Sequence, residues 1–148
     1  MKTTSLCALF LLALGSALPA AEVAKPTMKS TVIDWSKLEA KPTKTGARRE
    51  LFDGPTATFN NLEGHVTTLN PGEVPHAPHR HPDEEMILIK EGTLEVTING
   101  ETKRAGAGSI FFYASNDLHG MKNVGDTVAT YFVFRFITAK TPAAAAKN

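Results

Sequence analysis

The sequence predicts an all-β fold, a sandwich or barrel of short strands in a single domain. Apolar and polar residues alternate over short segments, and turn signals rich in Gly, Pro and Asn separate these segments at close intervals. After the N-terminal apolar segment, no stretch has the apolar periodicity of a long helix. A chain of 148 residues, 42% of them hydrophobic, suits one domain with a modest core.

The first element, residues 1–21, is predicted to be a secretory signal peptide. Lys2 supplies a positive charge, an apolar run follows at residues 6–14, and small residues close the segment. A membrane anchor is the competing interpretation, but the apolar run is shorter than the ~20 residues that a spanning helix needs. We therefore expect export to the periplasm or the extracellular space, and no stable membrane span.

The composition narrows the classes of partner and the sources of stability. Cys7 is the only cysteine and lies inside the predicted leader, so we expect no disulfide in the mature chain. Its stability must then come from the core, a metal or association. Loss of Lys2 with the leader leaves 15 basic against 15 acidic residues. This balance argues against nucleic acid as a partner.

Residues 22–49 form a polar and basic stretch that we interpret as an N-terminal extension. A solvated segment and a segment anchored by Trp35 both fit this composition. Ser36 and Glu39 have the spacing of a capping box, which predicts one helical turn. Trp35 would then pack on the outside of the β domain or on a second subunit, and the sequence leaves both open.

Residues 50–137 are predicted to form the β domain, and residues 138–148 a flexible C-terminal tail. Strands are expected at residues 50–52, 56–59, 62–69, 86–89, 93–98, 101–104, 110–113 and 128–137. Alternation in residues 93–98 places Leu94, Val96 and Ile98 inside. The last strand has apolar residues on both faces, which indicates that a sheet or a subunit contact also covers its outer face.

One short turn is specified strongly by its residue types. Asn99-Gly100 follows the alternating strand, and both residues tolerate positive φ. We therefore expect a type I′ hairpin turn at this point.

The residues that carry chemistry are concentrated at residues 71–92. His79 and His81 share one face of an extended chain, about 6.6 Å apart along the strand. Glu85 has the same parity and can join them from beyond a bend at Pro82. A histidine-rich tract can also arise by chance or scavenge metal, but the added carboxylate and the glycine that closes the segment favour a built site.

A second stretch, residues 108–123, reads as an apolar strand, a polar turn, His119 and Asn123. The two stretches together resemble the two motifs of the cupin family, G-x5-H-x-H-x3-4-E-x6-G and G-x5-P-x-G-x2-H-x3-N. Gly72 stands one residue farther from the first histidine than in the motif, and Ala114 and Asn116 replace the proline and glycine of the second motif. The resemblance covers residues 62–136.

The resemblance implies a double-stranded β-helix, the cupin jelly-roll barrel, with one mononuclear divalent metal inside it near one mouth. The family's metal ligands fall on four residues: His79, His81, Glu85 and His119. Such a donor set suits manganese, iron, cobalt, nickel, copper or zinc, and it does not choose among them. An apolar lining is expected from Ile87, Ile89, Phe112, Met121 and some of Phe132, Phe134 and Phe136.

A few further ionisable residues are candidates for a role beside the metal. His76 and Glu84 are the nearest candidates for a general acid or base, and Tyr113 is another plausible inward group. His76 either reaches the cavity mouth or is an exposed loop residue. His65 belongs to neither motif, and we interpret it as a structural or surface residue rather than a ligand.

Two hypotheses from different classes follow. The first is an exported metal-dependent enzyme, an oxygenase or an isomerase, that acts on a small polar or chelating molecule. The second is a non-catalytic module that binds or senses a small ligand or the metal, and the mostly apolar inward positions favour it. Because small all-β domains leave sheet edges to cover, and the resemblance implies dimers, we also expect a two-fold homodimer.

Overall fold

A computed structural model of the chain describes residues 25–144, and β-strands dominate this part. The predicted signal peptide, residues 1–21, and the end of the predicted C-terminal tail, residues 145–148, lie outside it. The strands are β1 (Lys41–Thr43), β2 (Gly46–Gly54), β3 (Asn61–Leu69), β4 (Glu84–Glu91), β5 (Thr93–Ile98), β6 (Glu101–Gly106), β7 (Ile110–Tyr113), β8 (His119–Asn123) and β9 (Ala129–Ile137). The predicted all-β class is confirmed.

The strands form two antiparallel sheets. The larger sheet has the order β1-β2-β3-β9-β4-β7, and the smaller one has the order β6-β5-β8. Side chains of both sheets share one core: Leu69, Ile87, Ile89, Leu94, Val96, Tyr113, Met121, Ala129, Tyr131 and Val133. The core therefore lies between the sheets, as in a double-sheet jelly roll. No helix in residues 25–144 has the length and apolarity to cross a membrane.

Strand register aligns inward side chains in rows across the larger sheet, and these rows place the candidate site. One row is Glu85, Arg135 and Glu63, on β4, β9 and β3. The next is Ile87, Val133, His65 and Glu50, which continues onto β2. The third is Ile89, Tyr131, Thr67 and Arg48. Polar and charged side chains therefore make up the first row and the β3 and β2 positions of the other two rows, whose β4 and β9 positions hold Ile87, Val133, Ile89 and Tyr131.

The outer face of β9 is covered by the N-terminal part of the chain. Ring centroids are 6.0 Å apart for Trp35 and Phe132, 6.2 Å for Phe52 and Phe134, and 5.6 Å for Phe59 and Phe136. Within one subunit, these contacts account for the apolar residues on both faces of the last strand. Trp35 therefore packs on the outside of the barrel.

These contacts correct the predicted cavity lining. Phe132, Phe134 and Phe136 have the outward parity of β9, so none of them lines the space between the sheets. The inward positions alternate with them and belong to Tyr131, Val133 and Arg135, which line the cavity.

The predicted boundary of the N-terminal extension falls inside a strand. β1 and the first part of β2 come from residues 22–49, and β2 begins at Gly46. Arg48 points to the inner face and pairs with Glu50, at 2.7 Å, and Glu63, at 2.8 Å. Because Glu50 and Glu63 neutralise its charge, Arg48 can lie in the sheet although the sequence around it is basic.

Two local predictions are wrong. The first concerns the start of the helical turn, which is a 3-10 turn at Trp35–Lys37. Its cap is Asp34, whose carboxylate accepts from the Ser36 N–H at 3.0 Å, and not a capping box that begins at Ser36. The strand predicted at residues 56–59 is a turn, in which the Thr56 hydroxyl accepts from the Phe59 N–H at 2.9 Å. In both cases a short side chain bonds the nearby backbone and outweighs the strand or capping-box pattern.

Candidate metal centre

His79, His81 and His119 come together as one compact cluster. Each offers one ring nitrogen, and these atoms all lie within 4.8 Å of one another. An isolated β-bridge between His79 and His119 joins the two stretches, and each backbone N–H donates to the other's carbonyl at 3.0 Å. The cluster could therefore hold a metal ion, and it depends on the long-range pairing of two segments about 40 residues apart in the chain.

Backbone carbonyls fix the orientation of two of these rings. Nδ1–H of His81 donates to the carbonyl of Asp83, and Nδ1–H of His119 to that of Asp117, both at 2.8 Å. These bonds leave Nε2 of both rings free to act as a lone-pair donor.

The hydrogen bonding of the ring nitrogens tests whether the cluster fits a metal. Among the described residues, Nε2 of His81, Nε2 of His119 and Nδ1 of His79 are buried and have no hydrogen-bond partner. Buried polar atoms without partners are uncommon because they lose hydration without replacement. Neutral imidazole nitrogens are ordinary ligands of first-row ions, so these residues fit a divalent metal.

Glu85 borders the cluster. Its Oε2 lies 3.3 Å from Nε2 of His81, outside hydrogen-bond alignment, and 3.9 Å from Nε of Arg135. The compact set itself consists of the three histidines. The role of Glu85 as the fourth ligand stays a prediction.

The three imidazoles differ in their affinity for a proton. Burial, followed by the neighbouring imidazoles, lowers the pKa of His79 to about 4. Burial also lowers the pKa of His119. The carboxylate of Glu85 raises the pKa of His81, against the opposing effect of burial. In the metal-free protein, His81 is therefore the ring of the three that holds a proton to the highest pH.

An ion pair beside the cluster, with a buried carboxylate and a partly exposed guanidinium, was not predicted. Nε and Nη2 of Arg135 donate to the two carboxylate oxygens of Asp83, at 2.6 and 2.9 Å. Although burial opposes it, the guanidinium holds the pKa of Asp83 below its ordinary value. The same Asp83 accepts from His81 through its backbone, so the pair supports a predicted ligand. The sequence signal that could have predicted this pair is Arg135 itself, the one charged residue in the apolar run of residues 128–137.

The cluster opens onto a cavity of about 520 Å³. Ile87 and Met121 line this cavity, where the sequence placed them. Ile89 is buried in the core instead. Phe112 was predicted to line the cavity and does not, because it is 51% exposed on the outer face of β7. Its neighbour Tyr113 takes the inward position, opposite Glu85.

The predicted acid and base candidates occupy different places. His76 lies at the cavity wall, with its ring edge-on to that of His79 and the centroids 4.3 Å apart. Glu84 is exposed on the outer face of β4, so the suggestion that it acts beside the metal is wrong. Side chains alternate along a strand, and Glu85 holds the inward position.

Tyr113 lies behind the cluster. Its ring stacks on that of His119, with the centroids 3.9 Å apart and the planes 16° apart. Burial raises the pKa of its phenol, so the group is neutral at physiological pH. The hydroxyl is buried without a partner among residues 25–144. Tyr113 therefore supports the His119 ring through its aromatic face.

Comparisons with known proteins agree with this architecture. A family model described as a cupin domain matches residues 65–135. The polyketide synthase CurC of Streptomyces cyaneus is 32% identical over 107 residues, which make up 69% of this chain and 66% of that protein. The match thus spans just under two thirds of the length of that relative.

Solved structures share the fold at low identity. The polyketide cyclase RemF of Streptomyces resistomycificus has a TM-score of 0.62 at 17% identity, over 81% of this chain and 87% of that one. An RmlC-like cupin of Shewanella frigidimarina has a TM-score of 0.61 at 18% identity, over 76% and 95% of the two chains. A single-residue variant of the oxalate decarboxylase of Bacillus subtilis has a TM-score of 0.60 at 19% identity, over 78% and 32%.

Proposed function

The chain belongs to the cupin family, and from this premise we propose that it is an exported, metal-dependent enzyme acting on a small molecule that chelates through oxygen. The observation that carries the proposal is the three-histidine cluster, two members of which, His79 and His81, line a 520 Å³ cavity. Ionisable side chains and a smaller set of apolar ones, among them Ile87, Met121 and Val133, line this cavity, and a cavity with convergent polar groups is a usual place for a small ligand.

We propose β-dicarbonyl compounds as the substrate class. Polyketide chains carry carbonyl groups on alternate carbons, and the similarity to a polyketide synthase and a polyketide cyclase supports this class. Two carbonyl oxygens in this relation can chelate one cation. The cavity volume of about 520 Å³ is within the usual range for sites that bind small molecules.

The ligand set and the walls of the cavity have separate roles. A divalent ion held by His79, His81 and His119, with Glu85 as the predicted fourth ligand, would supply a Lewis acid that polarises carbonyl oxygens. Ile87, Met121 and Val133 supply an apolar part of the cavity wall against which the bound molecule can pack.

The enolate of a β-dicarbonyl is the starting point for both an isomerase and an oxygenase. The ionisable groups of the cavity other than the ligands, such as His65 and His76, supply acid–base capacity for its formation. Their presence favours an enzyme over a module that only binds a ligand.

The first test is the metal content of protein purified without a histidine tag. We expect about one divalent ion per wild-type chain and a loss of most of it in His81→Ala, because metal affinity depends on the complete ligand set. Elemental analysis of both proteins measures this and names the ion. Equal metal content in the two would contradict the site.

The second test is turnover by metal-reconstituted protein with β-diketones, and with phenolics and sugar derivatives as comparison classes. A product with the mass of the substrate, formed without oxygen uptake, would indicate an isomerase, and product formation with oxygen uptake an oxygenase. Tight binding of one compound without turnover of any would support the binding module instead.

Export is part of the proposal and has its own measurement. Residues 1–21 have the composition of a signal peptide, so we expect the mature chain to begin near residue 21 or 22. Intact-mass spectrometry of protein from the periplasm and the medium would show this truncation. A full-length chain retained inside the cell would contradict export.

A further inference from the structure

A second polar cluster lies on the cavity wall that β2 and β3 form. Oε1 of Glu63 is 2.7 Å from Nδ1 of His65 and accepts from Nη2 of Arg48 at 2.8 Å. Arg48 also donates through Nε to Glu50 at 2.7 Å. A carboxylate oxygen that already accepts from a guanidinium accepts from the imidazole as well, so Nδ1 of His65 carries the proton. The Nε2 atom of His65 is then the lone-pair nitrogen.

Burial distinguishes this pair from an ordinary surface ion pair. The side chain of His65 is 11% exposed and that of Glu63 is 14% exposed. The second oxygen of Glu63, Oε2, is buried without a hydrogen-bond partner in the described part of the chain. A carboxylate that is desolvated and incompletely paired costs stability, which is consistent with a functional reason for keeping it there.

The pair faces the same space as the three-histidine cluster. His65 lines the 520 Å³ cavity together with His79 and His81. In the rows of the larger sheet, His65 is separated from Ile87 on β4 by Val133 alone. His65 and two of the predicted metal ligands therefore border the same space, in which a small molecule held at the cluster would lie.

The geometry points to His65 as a catalytic acid–base residue, with Glu63 and Arg48 as its positioning residues. In a β-dicarbonyl bound in the cavity, the C–H bond of the carbon between the carbonyls breaks. The proton moves to Nε2 of His65, and the electron pair stays on the substrate as the enolate. Return of the proton to a different atom completes an isomerisation. The role rests on the proposed function, which supplies the substrate class.

The environment of His65 differs from that of the other acid–base candidate, His76. The ring of His76 is exposed, and its Nδ1 lies 3.1 Å from the carbonyl of the adjacent Ala77. Among the described residues, no carboxylate bonds to its ring. An imidazole held by a carboxylate has a defined tautomer and direction, which acid–base catalysis requires.

The test uses the Zn²⁺-loaded mature protein and ethyl acetoacetate as the probe, with proton NMR in D₂O to follow exchange at the carbon between the carbonyls. We expect His65→Asn to keep its Zn²⁺ and to bind the probe within about twofold of wild type, and to lose about 10²- to 10⁴-fold of the catalysed exchange. Glu63→Gln keeps the ring and is expected to lose about 10- to 100-fold. Glu95→Gln, a matched change on the small sheet, should equal wild type.

A second readout does not depend on activity. Nitrogen NMR of the wild-type histidine rings should show His65 protonated at Nδ1, and Glu63→Gln should shift this tautomer toward Nε2–H. If His65 were only structural, a change of its tautomer in Glu63→Gln would not be accompanied by a loss of the catalysed exchange. Wild-type His65 protonated at Nε2 would overturn the assignment, whatever the exchange rate.

The outcomes separate the two claims. Exchange by the wild type that His65→Asn leaves unchanged, or that His76→Asn reduces as strongly, would overturn the role of His65 and leave the proposed function standing. A wild type that neither binds the probe nor accelerates its exchange would overturn the substrate class and the role together. If His65→Asn fails to fold, Glu63→Gln decides by the same criteria.

Discussion

Single side chains determine how this site responds to protons. Of the three clustered imidazoles, His79 has its pKa lowered to about 4, mainly by burial, and His81 has its pKa raised, mainly by Glu85. A metal ion binds the neutral ring. The proton that competes with the metal is therefore chiefly the one on His81.

We expect the affinity for Zn²⁺ to fall as the pH is lowered through the raised pKa of His81, with release of close to one proton per ion bound in that range. His79 contributes little to this release, because it is already neutral well above pH 4. Calorimetry in two buffers of different ionisation enthalpy counts the protons. An affinity that stays constant from pH 8 to pH 5.5 would contradict this assignment.

The ion pair of Asp83 and Arg135 sets a second pH dependence. Asp83 is 3% exposed, and its pKa in the folded protein lies below the ordinary value of 3.8. A lowered pKa means that its contribution to stability is complete above pH 3.8 and is lost as the pH falls through the folded-state pKa.

Asp83→Asn is expected to destabilise the metal-free protein by about 2 kcal/mol at pH 7, a value reduced from the buried-pair range because Arg135 is partly exposed. Urea denaturation of both proteins measures the difference. The difference should shrink as the pH falls below 3.8 toward the lowered folded-state pKa of Asp83, because the unfolded chain then binds a proton that the folded carboxylate does not. Equal stability at pH 7 would show that the pair is not stabilising.

At the level of strands and turns, backbone conformation explains how the motifs tolerate substitution. Asn116 stands where the second motif has glycine, and it adopts a φ of 61°. Asparagine enters this left-handed region more readily than most residues with a side chain. The turn before His119 can therefore form without the glycine. The Asn99-Gly100 turn likewise has φ values of 49° and 91°, as the sequence predicted.

Gly92, which closes the first motif, has a φ of 87° and no room for a side chain. A Cβ there would lie 2.5 Å from the Cα of Ala129. Gly100 has a similar φ of 91° but open space around it, so it is a matched control. Both alanine variants incur about 1–2 kcal/mol of backbone strain.

We expect Gly92→Ala to lose about 1–3 kcal/mol more than Gly100→Ala, because only Gly92 adds overpacking. Chemical denaturation of the two variants gives the comparison directly. Equal losses would mean that the contact between residue 92 and Ala129 relaxes freely around the new methyl group.

At the scale of the whole molecule, one edge of the larger sheet carries exposed apolar side chains. β7 is an edge strand of the larger sheet, and its Ile110 and Phe112 are 62% and 51% exposed. An exposed apolar edge favours pairing with another chain. Beside it lies a second cavity of about 610 Å³, whose lining includes Val96, Ile98 and Phe111.

The homodimer stays a prediction, and this edge is the surface on which we expect it. Light scattering of the mature protein should give twice the mass of one chain, and Phe112→Glu should reduce it to one. Val32→Glu changes a residue that is 94% exposed in the N-terminal segment and should leave the mass unchanged. A wild-type mass of one chain would contradict the dimer.

Local patterns were sufficient for much of this protein. Alternation predicted the all-β class and the inward Leu94 and Val96, and motif spacing selected the three histidines that cluster. These features depend on neighbours within a few residues, because side-chain direction in a strand has a period of two. The signal peptide and the fourth ligand remain predictions from the sequence.

Other features depended on which strands pair, and short-range patterns do not specify that. Register between β3, β9 and β4 brought Arg135 to Asp83 and put His65 on the cavity wall. The choice of outer face for the phenylalanines of β9 depended on the aromatic residues that cover them, Trp35 in the N-terminal extension and Phe52 and Phe59 in and after β2. A one-residue change of parity reverses every side chain of a strand, so long-range pairing in three dimensions assigned these residues to the cavity or to the surface.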